Sequence, residues 1–316
     1  EILKDYDGYT EANLYAHPKF KNMFTSLVPL VAGGYYSPQI GDSAATASSG
    51  IWMTLDIAMK GFINFGDHKF AKLAYLLNDN NVNGMKLSIM DANPEEIKTQ
   101  ISNIIEAEGT LDLESDMMTG FGFAILRDGA EGIALNNTRD FWMYFGKNGG
   151  HGHYDTLNLG ISAFGLNMAP DLGYPEDTGT QPNRLQWVEQ PISHNTVVVD
   201  GTTQNYPNDN GNGGYPMHFD DSGKVKLFDV DAPNQYNSTQ TYRRTLVMVE
   251  ASDDVSYGVD FFRIIGGNSH LYSFHSQSDE IFETQGLDLT AQVDGGGNYI
   301  GSYAGANVPY GPDPNS

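Results

Sequence analysis

The sequence predicts an α+β protein of two parts, a helical segment over residues 1–115 and a large antiparallel β-sheet or β-sandwich domain over residues 116–316. Three observations predict it. Apolar residues recur at helical spacing before residue 115 and at every second position after it. Helix-start and helix-stop residues punctuate the first part, whereas Gly and Asn/Asp clusters punctuate the second. No self-similarity at a period of roughly 20–50 residues is visible, which argues against a solenoid or propeller.

The elements follow in order. "HPKFKNMFTSLVPLVAG" (17–33) places Phe20, Phe24, Leu27 and Val28 on one helix face, with Pro18 suited to the first turn. "SSGIWMTLDIAMKGFINFG" (48–66) reads as a second helix ended by glycines, and "DHKFAKLAYLLND" (67–79) as a third, with Asp67 as its N-cap. "NPEEIKTQISNIIEAEG" (93–109) is a fourth, with Asn93 as candidate cap, acids in its first turn and Gly109 as its stop. Short connections between successive helices predict a bundle or a toroid of helix pairs. Strands are expected at 119–127, 132–136, 140–146, 155–164, 194–200, 224–229, 241–250, 256–265 and 269–276. The stretch "NYPNDNGNGGYPMHFDDSG" (205–223) reads as a long polar loop.

Composition narrows the function. A hydrophobic content of 40% with 12% aromatics is enough to build a core. There are no cysteines, so any metal must be held by imidazole and oxygen. A formal net charge of −23 argues against nucleic-acid and anionic-membrane partners. No run approaches the roughly 20 apolar residues that span a bilayer. The opening "EILKDYDGYT" lacks signal-peptide blocks, and the chain is expected to be cut at both ends from a longer protein. The acidic balance suits a secreted, periplasmic or cell-surface setting.

The histidines carry the chemistry. In "HGHYDTLNLGISAFGLNMAPDLG" (151–173), a strand would put His151, His153 and Asp155 on one face. A hairpin after 155–164 would return Asp171 beside His153, and His194 opens the next strand in "SHNTVVVDG". Two imidazoles and a carboxylate suit zinc or manganese. Arg184, in "QPNRLQW", is a candidate partner for a substrate carboxylate, because its guanidinium forks onto one.

The same residues resemble a known family. "GGHGHYDTLNLGISAFGLNMAPDLGY" followed by "SHNTVVVDG" is similar to the signature of heparinase II/III-like polysaccharide lyases, over about fifty contiguous residues. The style of the segment leans towards the family's alginate-lyase-like members. The resemblance implies the C-terminal part of an (α/α) toroid followed by antiparallel β-sheets, and eliminative cleavage of an anionic, uronate-containing polysaccharide. By position it implies His153, Asp171 and His194 as ligands of a divalent ion, zinc first and manganese second. It further implies His151 facing the substrate, Tyr174 near the cleft, and a toroid tyrosine, for which Tyr15 is the candidate. The family's toroid also contributes an Asn-His pair. None occurs in the helical segment, so the upstream toroid helices are expected to lie outside this chain.

Two rival readings remain at this point. His153, Asp155 and His194 could form the two-histidine, one-carboxylate triad of a non-haem iron oxygenase, distinguished by its use of Asp155 in place of Asp171. Alternatively the β-domain is a non-catalytic carbohydrate-binding or structural module whose ion only pins a hairpin.

Overall fold

A computed structural model describes residues 3–4, 6–43, 50–87, 91, 93–129, 137–146, 151–174, 184–206, 212–276, 285–286 and 288. They fall in two compact units, one drawn from Glu1–Ser37, Gly50–Glu114 and Gly129–Thr138, the other from Pro38–Ser49, Ser115–Asp128 and Arg139–Ser316. The chain is a mixed α+β structure whose sheets are antiparallel. Among the described residues no helix is long and apolar enough to cross a membrane.

Among the described residues the first unit contains four α-helices, α1 (Pro18–Thr25), α2 (Leu55–Phe65), α3 (His68–Leu77) and α4 (Pro94–Glu108). α4 has the expected bounds, whereas α1, α2 and α3 are shorter than their apolar patterns suggest. After α1 the chain approaches Pro29, which disfavours helix at the residue before it. α2 starts only where Thr54 caps it by accepting from the Ile57 amide. Asp67 caps α3 as expected, accepting from the Lys69 amide. Asn93 stands at the start of α4 but its side chain makes no capping bond; Pro94, Glu95 and Glu96 serve that end instead. Phe24, Met59, Phe62, Phe70, Leu73 and Ile101 fill the core.

The second unit holds a five-stranded sheet in the order β1 (Asp116–Met118), β2 (Phe123–Asp128), β3 (Arg139–Tyr144), β4 (Asn158–Ala163), β5 (Leu166–Asn167). A four-stranded sheet runs β10 (Val255–Gly266), β9 (Thr239–Ser252), β8 (Val225–Asp231), β7 (Tyr215–Asp220). A two-stranded ribbon pairs β6 (Val197–Val199) with β11 (His270–Tyr272). β9 alternates cleanly, burying Tyr242, Arg244, Leu246 and Met248. Three of these meet Leu126, Met143 and Val197 in one apolar core.

Two expectations change, and a third lies outside the described residues. β7 lies within the stretch read as loop. It is an edge strand whose residues 215–218 are exposed, so no alternation marks it. The strand expected at 194–200 starts three residues later, because a tight helical turn at Pro191–Ser193 delivers His194 in an irregular segment. The strand expected at 132–136 lies outside the described residues.

Candidate metal centre and the polar cluster beside it

Residues 151–155 are not a strand, which corrects the expectation that His151, His153 and Asp155 share a face. β4 begins at Asn158, after Leu157 has taken a left-handed φ of 66°. The preceding backbone finds partners outside any ladder: the Tyr154 amide donates to the Glu189 carbonyl, and the Leu157 amide to that of Tyr144. As a result the His151 side chain is 88% exposed while that of His153 is fully buried.

The hairpin works as the spacing suggests. Phe164 and Gly165, with φ of 56° and 71°, turn β4 into β5. The return passes Asp171 back to Asn158, whose side-chain amide donates to Asp171 Oδ2 at 2.6 Å. The Gly173 amide holds the other carboxylate oxygen at 2.9 Å. Asn158 Oδ1 in turn accepts from the Asn195 amide, which ties the hairpin to the segment carrying His194.

His153, Asp171 and His194 therefore converge, all buried, each with a ligand atom within 4.8 Å of the others. His194 Nδ1 lies 2.8 Å from the Gln190 carbonyl and must donate to it, so Nε2 keeps a lone pair. That Nε2 is 3.3 Å from Asp171 Oδ2, and it is buried without a hydrogen bond. His153 Nε2 lies 3.1 Å from Asp42 Oδ1, leaving Nδ1 buried and likewise without one. Two orphaned imidazole nitrogens aimed beside a carboxylate are costly unless an ion binds there. Ligand atoms around a tetrahedral zinc stand about 3.3 Å apart, so these residues fit the group.

Electrostatics agree. Burial, and then the neighbouring His194, hold His153 below its ordinary pKa, so it is neutral as a ligand must be. Asp155 is pushed well above the carboxylate range, first by burial and then by the Asp171 charge. Among the described residues the metal-capable group contains Asp171 and not Asp155, so nothing here favours the oxygenase reading.

Beside this centre sits a cluster organised by Asp42, a residue the sequence reading passed over. Its Oδ1 accepts from His153, while its Oδ2 accepts from His151 Nδ1 at 3.1 Å and from Arg184 Nη2. Burial works to raise the Asp42 carboxyl, but the bonds from Arg184, His153 and His151 outweigh it and hold the group below its ordinary value. Arg184 also pairs with Glu189 at 2.7 Å, and its guanidinium lies 5.4 Å over the Tyr174 ring. His151 and Arg184 thus meet at one carboxylate, and Tyr174 lies against Arg184. Tyr15 belongs to the helical unit, where its ring packs on Phe20, Phe24 and Phe65 at 5.2–6.2 Å.

Other supporting residues were also missed. Arg244 is buried, grips Asp260 through two bonds, and donates to the carbonyls of Leu157 and Asn195. The His275 amide donates to Asn195 Oδ1. A signal existed for Asn158, a polar residue at the head of an apolar strand. None existed for Asp42.

The sequence profile described as Heparinase II/III-like, C-terminal, matches residues 115–303. The chain belongs to the heparinase II/III-like family. Heparinase structures share the fold. One similar structure is a heparinase III, with a TM-score of 0.60 at 16% identity over 89% of this chain and 38% of that one. A heparan sulfate lyase from Pedobacter heparinus gives 0.52 at 17% identity, over 78% and 32% respectively. A further heparinase III gives 0.55 at 14%, over 86% and 39%. The chain therefore spans only 32–39% of the length of these heparinase structures. No curated protein matches it by sequence.

Proposed function

We propose that this chain is part of a polysaccharide lyase that cleaves a uronate-containing polysaccharide by β-elimination, working outside the cytoplasm. The observation that carries the reading is a buried His153–Asp171–His194 group linked through Asp42 to an exposed histidine, His151, in a chain of this family. The helical unit is proposed as part of an (α/α) toroid. Zinc is the proposed ion, since two imidazoles and one carboxylate suit it. When bound, it supplies a fixed positive charge at the convergence of three chain segments.

In β-elimination a base takes the proton from C5 of the uronate, the C4–O bond breaks as the C4–C5 double bond forms, and an acid protonates the departing oxygen. His151 carries its proton on Nδ1, facing Asp42, so its Nε2 is free to hold or move a proton at the substrate. Tyr174 offers a phenolic hydroxyl on a ring that lies beneath Arg184. Arg184 already answers two carboxylates, Asp42 and Glu189, so a substrate carboxylate would have to share it. Tyr15 is retained as a candidate from the helical unit.

Alginate is proposed first as substrate, on the sequence resemblance. Heparan sulfate, named for the Pedobacter heparinus lyase, is tested beside it. The full-length protein, loaded with zinc, is given both polymers and hyaluronate, and the absorbance of the unsaturated uronate product is followed. The expected result is turnover on at least one of them, with His151→Ala retaining the metal and losing at least about a hundredfold in rate. Absence of unsaturated product from all three would overturn the reading.

A further inference from the structure

We propose that Asp42 is a positioning residue that sets both histidines of the H-G-H segment at once, giving each the opposite tautomer. The segment carrying it is fastened to the histidine segment through the backbone, the Asp42 amide donating to the His151 carbonyl at 2.9 Å. Its side chain is only 6% exposed and meets three donors. An ionised carboxylate only accepts, so each ring nitrogen facing it must carry the proton. His153 is protonated on Nε2, which turns Nδ1 to the buried group that can hold an ion. His151 is protonated on Nδ1, which leaves Nε2 on a side chain that is almost wholly exposed.

The two oxygens divide the work. Oδ1 serves the inner ring, and Oδ2 serves the outer ring together with Arg184. A carboxylate behind a ligating imidazole fixes the orientation of the ring and raises its basicity, and losing one typically weakens metal affinity by about 10–100-fold. Here the same carboxylate also orients a residue on the solvent side. Metal retention and the aim of His151 are thus coupled through Asp42, more than a hundred residues away in sequence. The part concerning His151 rests on the lyase reading, whereas the part concerning His153 stands on the geometry of the buried group.

The test uses the full-length protein and its Asp42→Asn and Asp42→Glu variants, with folding checked by circular dichroism. Asparagine offers one acceptor and one donor, so it cannot accept from both rings. In Asp42→Asn the zinc dissociation constant should rise by about 10–100-fold. The nitrogen NMR signals of labelled histidine should show His151 or His153 moved to the other tautomer, and kcat at saturating zinc should fall with KM little changed. Asp42→Glu keeps the carboxylate and should recover part of the zinc affinity, a rescue that simple packing would not give. Wild-type zinc affinity and unchanged tautomers in Asp42→Asn would overturn the proposal. If the zinc-loaded wild type cleaves no polyuronate, the lyase reading fails, and zinc affinity and tautomers still decide the role of Asp42.

Discussion

His153 and His194 stand nearly edge to face, ring centroids 5.5 Å apart, and each leaves one buried ring nitrogen without a hydrogen bond. An unsatisfied buried acceptor costs about 1–3 kcal/mol, and this pair has two. An ion that binds only the folded chain offsets both and adds stability by mass action, about 2.7 kcal/mol at a hundredfold excess over the dissociation constant. Zinc should therefore raise the melting temperature of the wild type, and a chelator should lower it. His194→Ala should melt at the same temperature with and without zinc. A wild type indifferent to both zinc and chelator would contradict the metal assignment.

Arg244 supports the same centre from beneath. Its guanidinium is fully buried, bridging Asp260, the Tyr272 hydroxyl and the carbonyls of Leu157 and Asn195. Those carbonyls belong to the left-handed turn before β4 and to the residue after His194. Lysine cannot reproduce a planar fork with several simultaneous partners. Arg244→Met, which leaves Asp260 without its buried partner, should destabilise by about 3–5 kcal/mol, and Arg244→Lys by a substantial part of that. Urea unfolding measures both. Zinc affinity should fall in the lysine variant as well. Unchanged stability in both variants would mean that the network carries no net weight.

What the sequence disclosed follows the reach of its signals. Alternation is local, so β9 and β10, long and half-buried, were readable, and so was the hairpin that returns Asp171 to His153. β1 and β5 are three and two residues long, too short for a period to register. β7 has no inward row to betray it. Assuming period two across 151–155 put both histidines on one face. The chain instead turns at Leu157, a residue whose left-handed φ nothing in its chemistry foretells. Asp42 was invisible because its partners lie more than a hundred residues away and no spacing encodes that meeting.

His275 makes stability depend on pH. Burial lowers its pKa from the ordinary 6.5, although a hydrogen bond to the Ile192 carbonyl acts in the opposite direction. Between the folded value and 6.5 the unfolded chain binds a proton that the folded chain refuses. Stability is therefore unaffected above this window and is lost as pH falls through it. In His275→Gln, which retains an amide donor for Ile192, the loss of melting temperature from about pH 7 to about pH 5 should be shallower than in the wild type. Parallel melting curves for the two proteins would show that His275 contributes nothing to the slope.

The last prediction concerns how β4 is held in place. Gly160 pairs with Trp142 on β3, and the indole lies flat across the glycine. A Cβ at this position would stand 1.9 Å from Trp142 Cε2 and 2.1 Å from Cζ2, far inside contact distance. The indole has little room to yield, being fully buried and stacked on Phe123 at 6.1 Å. Overpacking of this kind costs about 1–3 kcal/mol, because strands or rotamers must shift. Gly160→Ala should accordingly lower the melting temperature by several degrees and change tryptophan fluorescence. The shift should also reach the metal centre, since Asn158, two residues earlier on the same strand, holds Asp171 by a 2.6 Å bond. Zinc affinity should fall with stability, while Gly223→Ala, at a site with open space around it, should leave both unchanged. A Gly160→Ala protein as stable as the wild type and equally tight for zinc would show that β3 and β4 separate at no cost, and that the centre does not depend on their register.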